Sequence, residues 1–210
     1  SISIPEGVTS IGENTFYNCS SLGFVEIPES VTNISKNAFS NTAYYNDASN
    51  WDNGVLYMDN CIIATNDSLT GDYTVKEGTV LIVDYAFDSC QKLDSITIGK
   101  GVTKIGMGCF SMMFPTLTTV IWNATNVKEV RYGLLPSSVT TVIFGDDVEH
   151  ILANICPMNM TRVVLGKRTK SIAAYAFENC SSLQEITIPD SVIAIGENAF
   201  NVTSSLSKIV

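Results

Sequence analysis

Positive charge is what this chain most lacks. Its 210 residues hold 12 lysines and arginines against 21 aspartates and glutamates, a net charge of −9. Nucleic-acid binders and polybasic membrane-surface proteins need clustered cations, so neither is expected. Charge of either sign is scarce at 16 %, below the roughly 25 % of an ordinary globular domain. Long apolar runs are also missing. No stretch approaches the roughly 20 residues that span a bilayer, so membrane insertion is not expected. The chain opens Ser1-Ile2-Ser3-Ile4-Pro5 with no cationic, apolar leader, and an export signal, if there was one, has been removed. No G-x-x-x-x-G-K or G-x-G-x-x-G loop is present to cradle a phosphate. What the chain does have is 45 % apolar residues, too many for a disordered segment.

It also repeats itself. Ile4-Pro5-Glu6-Gly7-Val8-Thr9-Ser10-Ile11-Gly12-Glu13-Asn14-Thr15-Phe16 returns as Ile27-Pro28-Glu29-Ser30-Val31-Thr32-Asn33-Ile34-Ser35-Lys36-Asn37-Ala38-Phe39. It returns again as Ile188-Pro189-Asp190-Ser191-Val192-Ile193-Ala194-Ile195-Gly196-Glu197-Asn198-Ala199-Phe200. Anchored on the leading apolar residue, the units start at Ile4, Ile27, Val75, Ile98, Trp122, Phe144, Leu165 and Ile188. Their spacings are 23, 48, 23, 24, 22, 21 and 23, and 48 is one unit plus an insertion of similar length. Eight units result, and Leu206 and Ile209 begin a ninth.

Each unit reads L-x-x-I-x-I-P-x-x-V-x-x-I-G-x-x-A-F-x-x-C. The I-x-I step has period two, so both isoleucines share one face of a short strand. Proline or glycine turns the chain. V-x-x-I sends two more apolar residues inward, and A-F-x-x-C closes the coil. No unit can bury its apolar side alone, but coils stacked at roughly 4.8 Å cover one another. The expected fold is a β-rich (α/β-type) solenoid over residues 1–210, with a parallel sheet along one face and short turns or single helical turns on the other. The pattern closely resembles the leucine-rich repeats of the BspA-like, treponemal type, which implies a right-handed coil. The resemblance covers nearly the whole chain outside the insertion. It departs in the middle, where Trp122 and Phe144 take the isoleucine place and Leu135 and Cys156 the phenylalanine place. Local curvature is expected to change there.

The six cysteines follow the repeat. Cys19, Cys90 and Cys180 each lie three residues after its phenylalanine, and Cys109 sits one before Phe110. Such columns suit small buried groups. Members two units apart are separated by roughly 10 Å, beyond the roughly 7 Å Cα limit of a disulfide, so free thiols are expected. No C-x-x-C or Cys/His pairing suggests zinc. The one histidine, His150, lies beside Glu149 and after Asp146-Asp147, which could read as an acid–base pair. The simpler reading makes His150 the second x of V-x-x-I. No serine or cysteine partners it at a recognisable spacing. The turn column Glu6, Glu29, Glu77, Lys100, Ala124, Asp146, Lys167, Asp190 has mixed signs and is no calcium ladder. Seven N-x-S/T sequons, at Asn18, Asn33, Asn66, Asn123, Asn159, Asn179 and Asn201, follow largely from a repeat rich in Asn, Ser and Thr.

Solenoids usually bind through the strand face. The outward column between the two isoleucines runs Ser3, Glu26, Thr74, Thr97, Ile121, Ile143, Val164, Thr187. Ile121, Ile143 and Val164 form an apolar row, with Thr119, Thr141 and Arg162 two residues earlier on the same face. Such a row often marks a contact surface, although the insertion or a flanking domain could cover it instead. The insertion, about 43–69, holds Val55-Leu56-Tyr57-Met58 and Cys61-Ile62-Ile63-Ala64 around Asp59-Asn60, a two-residue hairpin signal. Its Tyr44, Tyr45, Trp51 and Tyr57 are a second candidate, for a sugar or protein contact. The favoured reading is that they pack the hairpin against the solenoid flank.

These residues make a scaffold with no reaction centre. Neither an enzyme nor a cofactor is expected. The resemblance implies a bacterial cell-surface or secreted module that adheres to host matrix proteins, to other cells or to glycans. The alternative is a spacer holding another domain off the surface. Units cut at both termini point to a longer array, with end-to-end association through uncapped edges.

Overall fold

The I-x-I step of each unit becomes one rung of a first parallel ladder. The computed structural model describes residues 2–110, 115–131 and 133–210. Thr70–Thr74, Lys92–Ile98, Thr119–Trp122, Thr141–Phe144 and Arg162–Val164 form a five-stranded parallel sheet in that order. Ile2–Ser3 with Val25–Glu26, and Glu185–Ile186 with Lys208–Ile209, are further parallel pairs of the same kind. Within each central strand, burial alternates. Val120, Trp122, Val142 and Phe144 are buried, whereas Thr119, Ile121, Thr141 and Ile143 are half-buried on the other face.

The end of V-x-x-I forms a second ladder. Ser10–Ile11 pairs with Asn33–Ile34, Leu81–Ile82 with Lys104–Ile105, and His150–Ile151 with Ser171–Ile172 and then Ala194–Ile195, all parallel. The rest of the coil is tight turns, so the molecule is a β-solenoid of about nine turns with almost no helix. The turns stack as well. Phe16 N–H donates to Ala38 O, and Phe177 N–H to Ala199 O, each at 2.8 Å. Their rings stack at 5.4 Å for Phe16–Phe39, 5.3 Å for Phe87–Phe110 and 5.2 Å for Phe177–Phe200. Two positions before the aromatic, the backbone is left-handed. Asn14, Asn37, Tyr85, Asn154, Tyr175 and Asn198 have φ between +54° and +60°, and Gly108 has +61°.

At two places the second ladder leaves no room for a side chain just after its isoleucine. A Cβ on Gly196 would lie 2.3 Å from Ala174 N, and one on Gly106 would lie 2.4 Å from Asp84 N. Arg131 and Leu152 hold this place in the middle units. Among the described residues, no second-ladder strand lies between Lys104–Ile105 and His150–Ile151. The second ladder is thus interrupted in the coil that carries Leu135.

The insertion is built into the stack and does not lie on its flank. Thr42 caps the helical turn Ala43–Asn46 through its side chain, which accepts from Tyr45 N–H at 3.1 Å. Val55–Met58 and Cys61–Thr65 pair antiparallel, with Met58 opposite Cys61 and Asp59-Asn60 between them. Cys61–Thr65 then joins the second ladder in parallel, Cys61 beside Leu81 and Ile62 beside Ile82. Val83 N–H donates to Ile62 O at 3.1 Å, and one residue later Asp84 N–H donates to Ile34 O at 3.0 Å. The hairpin strand thus lies between its partner Val55–Met58 and the coil carrying Ile82, which bonds past it to the coil carrying Ile34. Val55, Leu56, Met58 and Ile62 are buried in the common core.

Candidate binding face

The outward positions of the five-stranded sheet form two parallel rows. One runs Thr74, Thr97, Ile121, Ile143, Val164 and the other Asp72, Ser95, Thr119, Thr141, Arg162, each neighbour in register. The six candidates fall into one grid, with Thr119, Thr141 and Arg162 beside Ile121, Ile143 and Val164. Five of them are half-buried, covered at their edges by neighbouring rungs, and Arg162 is exposed. The grid measures roughly 10 Å across the strands and 7 Å along them. It is apolar on one side and carries hydroxyls on the other. Arg162 is its only titratable group. Beyond Val164, a shallow cleft lined by Arg162, Val164, Gln184, Glu185 and Thr187 separates this sheet from the next rung. At the other end Ser95 Oγ donates to Asp72 Oδ1 at 2.6 Å, so the surface turns polar. This arrangement can bind by contact and hydrogen bonding.

The aromatic residues of the insertion serve mainly to pack it. Tyr44 O–H donates to Tyr57 O at 2.8 Å, and Tyr44 meets Phe24 edge-on. Trp51 Nε1–H donates to Tyr45 O at 2.8 Å, and the two rings are perpendicular at 5.3 Å. The Tyr57 and Tyr73 hydroxyls are hydrogen-bonded to each other, and Lys76 N–H donates to Tyr57 Oη at 3.2 Å. Burial raises the phenol pKa of Tyr44 and Tyr45, and burial with the Tyr57 contact raises that of Tyr73. All four candidates are half-buried against the core. Tyr73, which the sequence did not single out, completes the group. Its signal was an aromatic on a strand beside Thr74.

His150 is exposed on the second ladder, where Nδ1 lies 2.8 Å from Ser171 Oγ on the next rung. Sequence spacing did not foresee that partner, since only coil stacking brings the two together. Among the described residues no carboxylate is hydrogen-bonded to the ring. Glu149 accepts from Lys170 Nζ at 2.7 Å instead, which holds its carboxyl below the usual range. Asp147 is held down in the same way by Lys100 and Arg168, and Asp146 by the Lys167 backbone N–H. Lys100, Asp146 and Lys167 of the mixed-sign turn column thus join Asp147, Glu149, Arg168 and Lys170 in coil-to-coil ion pairs.

All six cysteines are free. Cys61, Cys90, Cys109 and Cys180 are buried, whereas Cys156 is half-buried and Cys19 is exposed on a coil covered from one side. Burial pushes the Cys61 thiol up to about 12, and raises Cys109 further. Among the described residues, no three His, Cys, Asp or Glu side chains cluster to hold a metal ion, and no helix is long and apolar enough to cross a membrane.

A stacked array of short parallel rungs with a flat sheet face defines a leucine-rich repeat protein. The BspA type leucine-rich repeat region matches residues 1–70, 64–156 and 150–210 in six copies, and the chain belongs to that family. Comparison with curated proteins gives no significant match. Among solved structures, the chain is similar to a leucine-rich repeat protein from Bacteroides ovatus ATCC 8483, with 23 % identity and a TM-score of 0.53 over 99 % of this chain and 60 % of that one. A leucine-rich repeat protein from Eubacterium ventriosum ATCC 27560 shares 21 % identity, with a TM-score of 0.51 over 98 % of this chain and 82 % of that one. A leucine-rich cell surface protein from Faecalibacterium prausnitzii A2-165 shares 26 % identity, with a TM-score of 0.47 over 99 % of this chain. The chain spans 58 % of that protein's length.

Proposed function

We propose that this chain is a non-enzymatic binding module of a bacterial cell-surface or secreted protein. Its contact surface is the first-ladder face centred on Ile143. The observation that carries this reading is the grid of Ile121, Ile143 and Val164 beside Thr119, Thr141 and Arg162. A solvated sheet needs no aliphatic side chains on three successive outward positions, and a row of them favours a partner that covers them. The neighbouring hydroxyls and guanidinium add hydrogen bonds at its rim. Family membership supports the surface setting. The partner class is an extracellular matrix protein, another cell's surface or a glycan.

A glycan and matrix-protein array probed with the isolated chain tests this. The proposal expects a saturable hit. A spacer, the competing reading, gives none, and binding that persists unchanged in Ile143→Lys removes the grid as the site. Ile143 faces outward, so a lysine there can extend into solvent and leave the fold intact.

A further inference from the structure

The aromatic column lapses twice in succession, at Leu135 and at Cys156. Cys156 puts a sulfur where the next coil has Phe177. Cys180 lies three residues further along that next coil, wholly buried, with its Sγ 3.7 Å from the carbonyl oxygen of Pro157. Cys180 therefore sits against the backbone next to Cys156, and each thiol shifts the titration of the other. The other buried thiols face carbonyls or an amide. Cys90 contacts Leu69 O, Cys109 contacts Val83 O and Gly106 O, and Cys61 contacts the Asn60 side chain. The sequence-based spacing excluded bridges between cysteines of one column two coils apart. Cys156 and Cys180 belong to different columns of adjacent coils, a pairing that this exclusion does not cover, and the Pro157 contact sets Cys180 beside Cys156.

We propose that Cys156 and Cys180 form a dithiol site that closes to an intramolecular disulfide, stapling two coils where aromatic stacking fails. The oxidant is a small-molecule disulfide. The Cys156 thiolate attacks it, forming a mixed disulfide and releasing one small thiolate. The Cys180 thiolate then attacks the Cys156 sulfur and releases the second. Both thiol protons end on the released thiolates, two S–H bonds are replaced by one S–S bond, and the external disulfide is reduced to two thiols. Cys156 reacts first because it is the half-buried member of the pair. Burial holds its thiol well above the usual range, so closure accelerates as the pH is raised. The site does not depend on the binding face.

The test uses the whole chain, incubated with oxidised or reduced glutathione, quenched in denaturant with iodoacetamide and digested with trypsin. Cleavage after Arg131 and Arg162 isolates Cys156 in peptide 132–162, and cleavage after Lys170 and Lys208 isolates Cys180 in peptide 171–208. The oxidised sample yields these two peptides joined, lighter than their sum by two hydrogens. The melting midpoint of the oxidised chain rises by about 5 °C or more. Cys180→Ser loses both effects, and the peptide map of the unmutated chain stands even if that variant folds poorly. Alkylation of both cysteines after oxidation overturns the proposal. So does a glutathione adduct that stops at Cys156, or linkage through Cys19.

Discussion

Residues two places before each aromatic explain why the repeat is rich in asparagine. The closing turn needs a left-handed backbone there, and asparagine and glycine tolerate it best. Tyr175 occupies the same place at φ +60°, where an ordinary side chain costs roughly 1–2 kcal/mol. Tyr175→Asn is therefore expected to raise the melting midpoint by roughly 2–4 °C, read by calorimetry. An unchanged or lower midpoint shows that the ring contributes packing worth more than the strain. Phe177 is wholly buried and stacked on Phe200, so Phe177→Ala is expected to cost roughly 3–5 kcal/mol in urea unfolding. A loss below 1 kcal/mol would mean that the column does not hold the coils. The aromatic column was legible because phenylalanine recurs at a fixed offset. The asparagine column is broken by Tyr85, Gly108 and Tyr175, and its residues look like loop polarity until a positive φ gives them a reason.

At the level of elements, the ladders join the repeats and the glycines set how closely they approach. Gly166 has no room for a side chain, since a Cβ there would lie 2.1 Å from Gly145 O. Gly166→Ala should lower the urea midpoint by the equivalent of about 1–3 kcal/mol, and a neutral result would mean that the rungs can part freely. The ion pairs between coils carry a pH dependence of known sign. Asp147 and Glu149 have folded-state pKa values below their unfolded ones. Their contribution is present above the ordinary carboxylate range and is lost as the pH falls through it. The melting midpoint is expected to drop on acidification below about pH 4, with a shallower slope in Asp147→Asn. Equal slopes in the two chains would remove these pairs from the account. The I-x-I rungs could be read from period two. The place of Cys61–Thr65 between its hairpin partner and the coil carrying Ile82 could not, because antiparallel and parallel pairing on opposite edges of one strand leaves the same apolar run. The break in the second ladder was not legible, because Val127 and Val130 keep the apolar V-x-x-I spacing there.

Across the whole molecule, the stacked coils place distant residues side by side. Ile121, Ile143 and Val164 are 22 and 21 positions apart yet occupy neighbouring rungs. Their shared face could be read from the column alone. The contact between His150 and Ser171, and that between Cys180 and the backbone beside Cys156, needed the exact stacking register. The direct measurement is a side-by-side titration of the array's strongest hit against the unmutated chain, Ile143→Lys on the first ladder and Lys104→Glu on the second. The account predicts at least a tenfold loss of affinity for Ile143→Lys and no loss for Lys104→Glu, with equal melting midpoints. The opposite order, or equal affinity for all three, would contradict it.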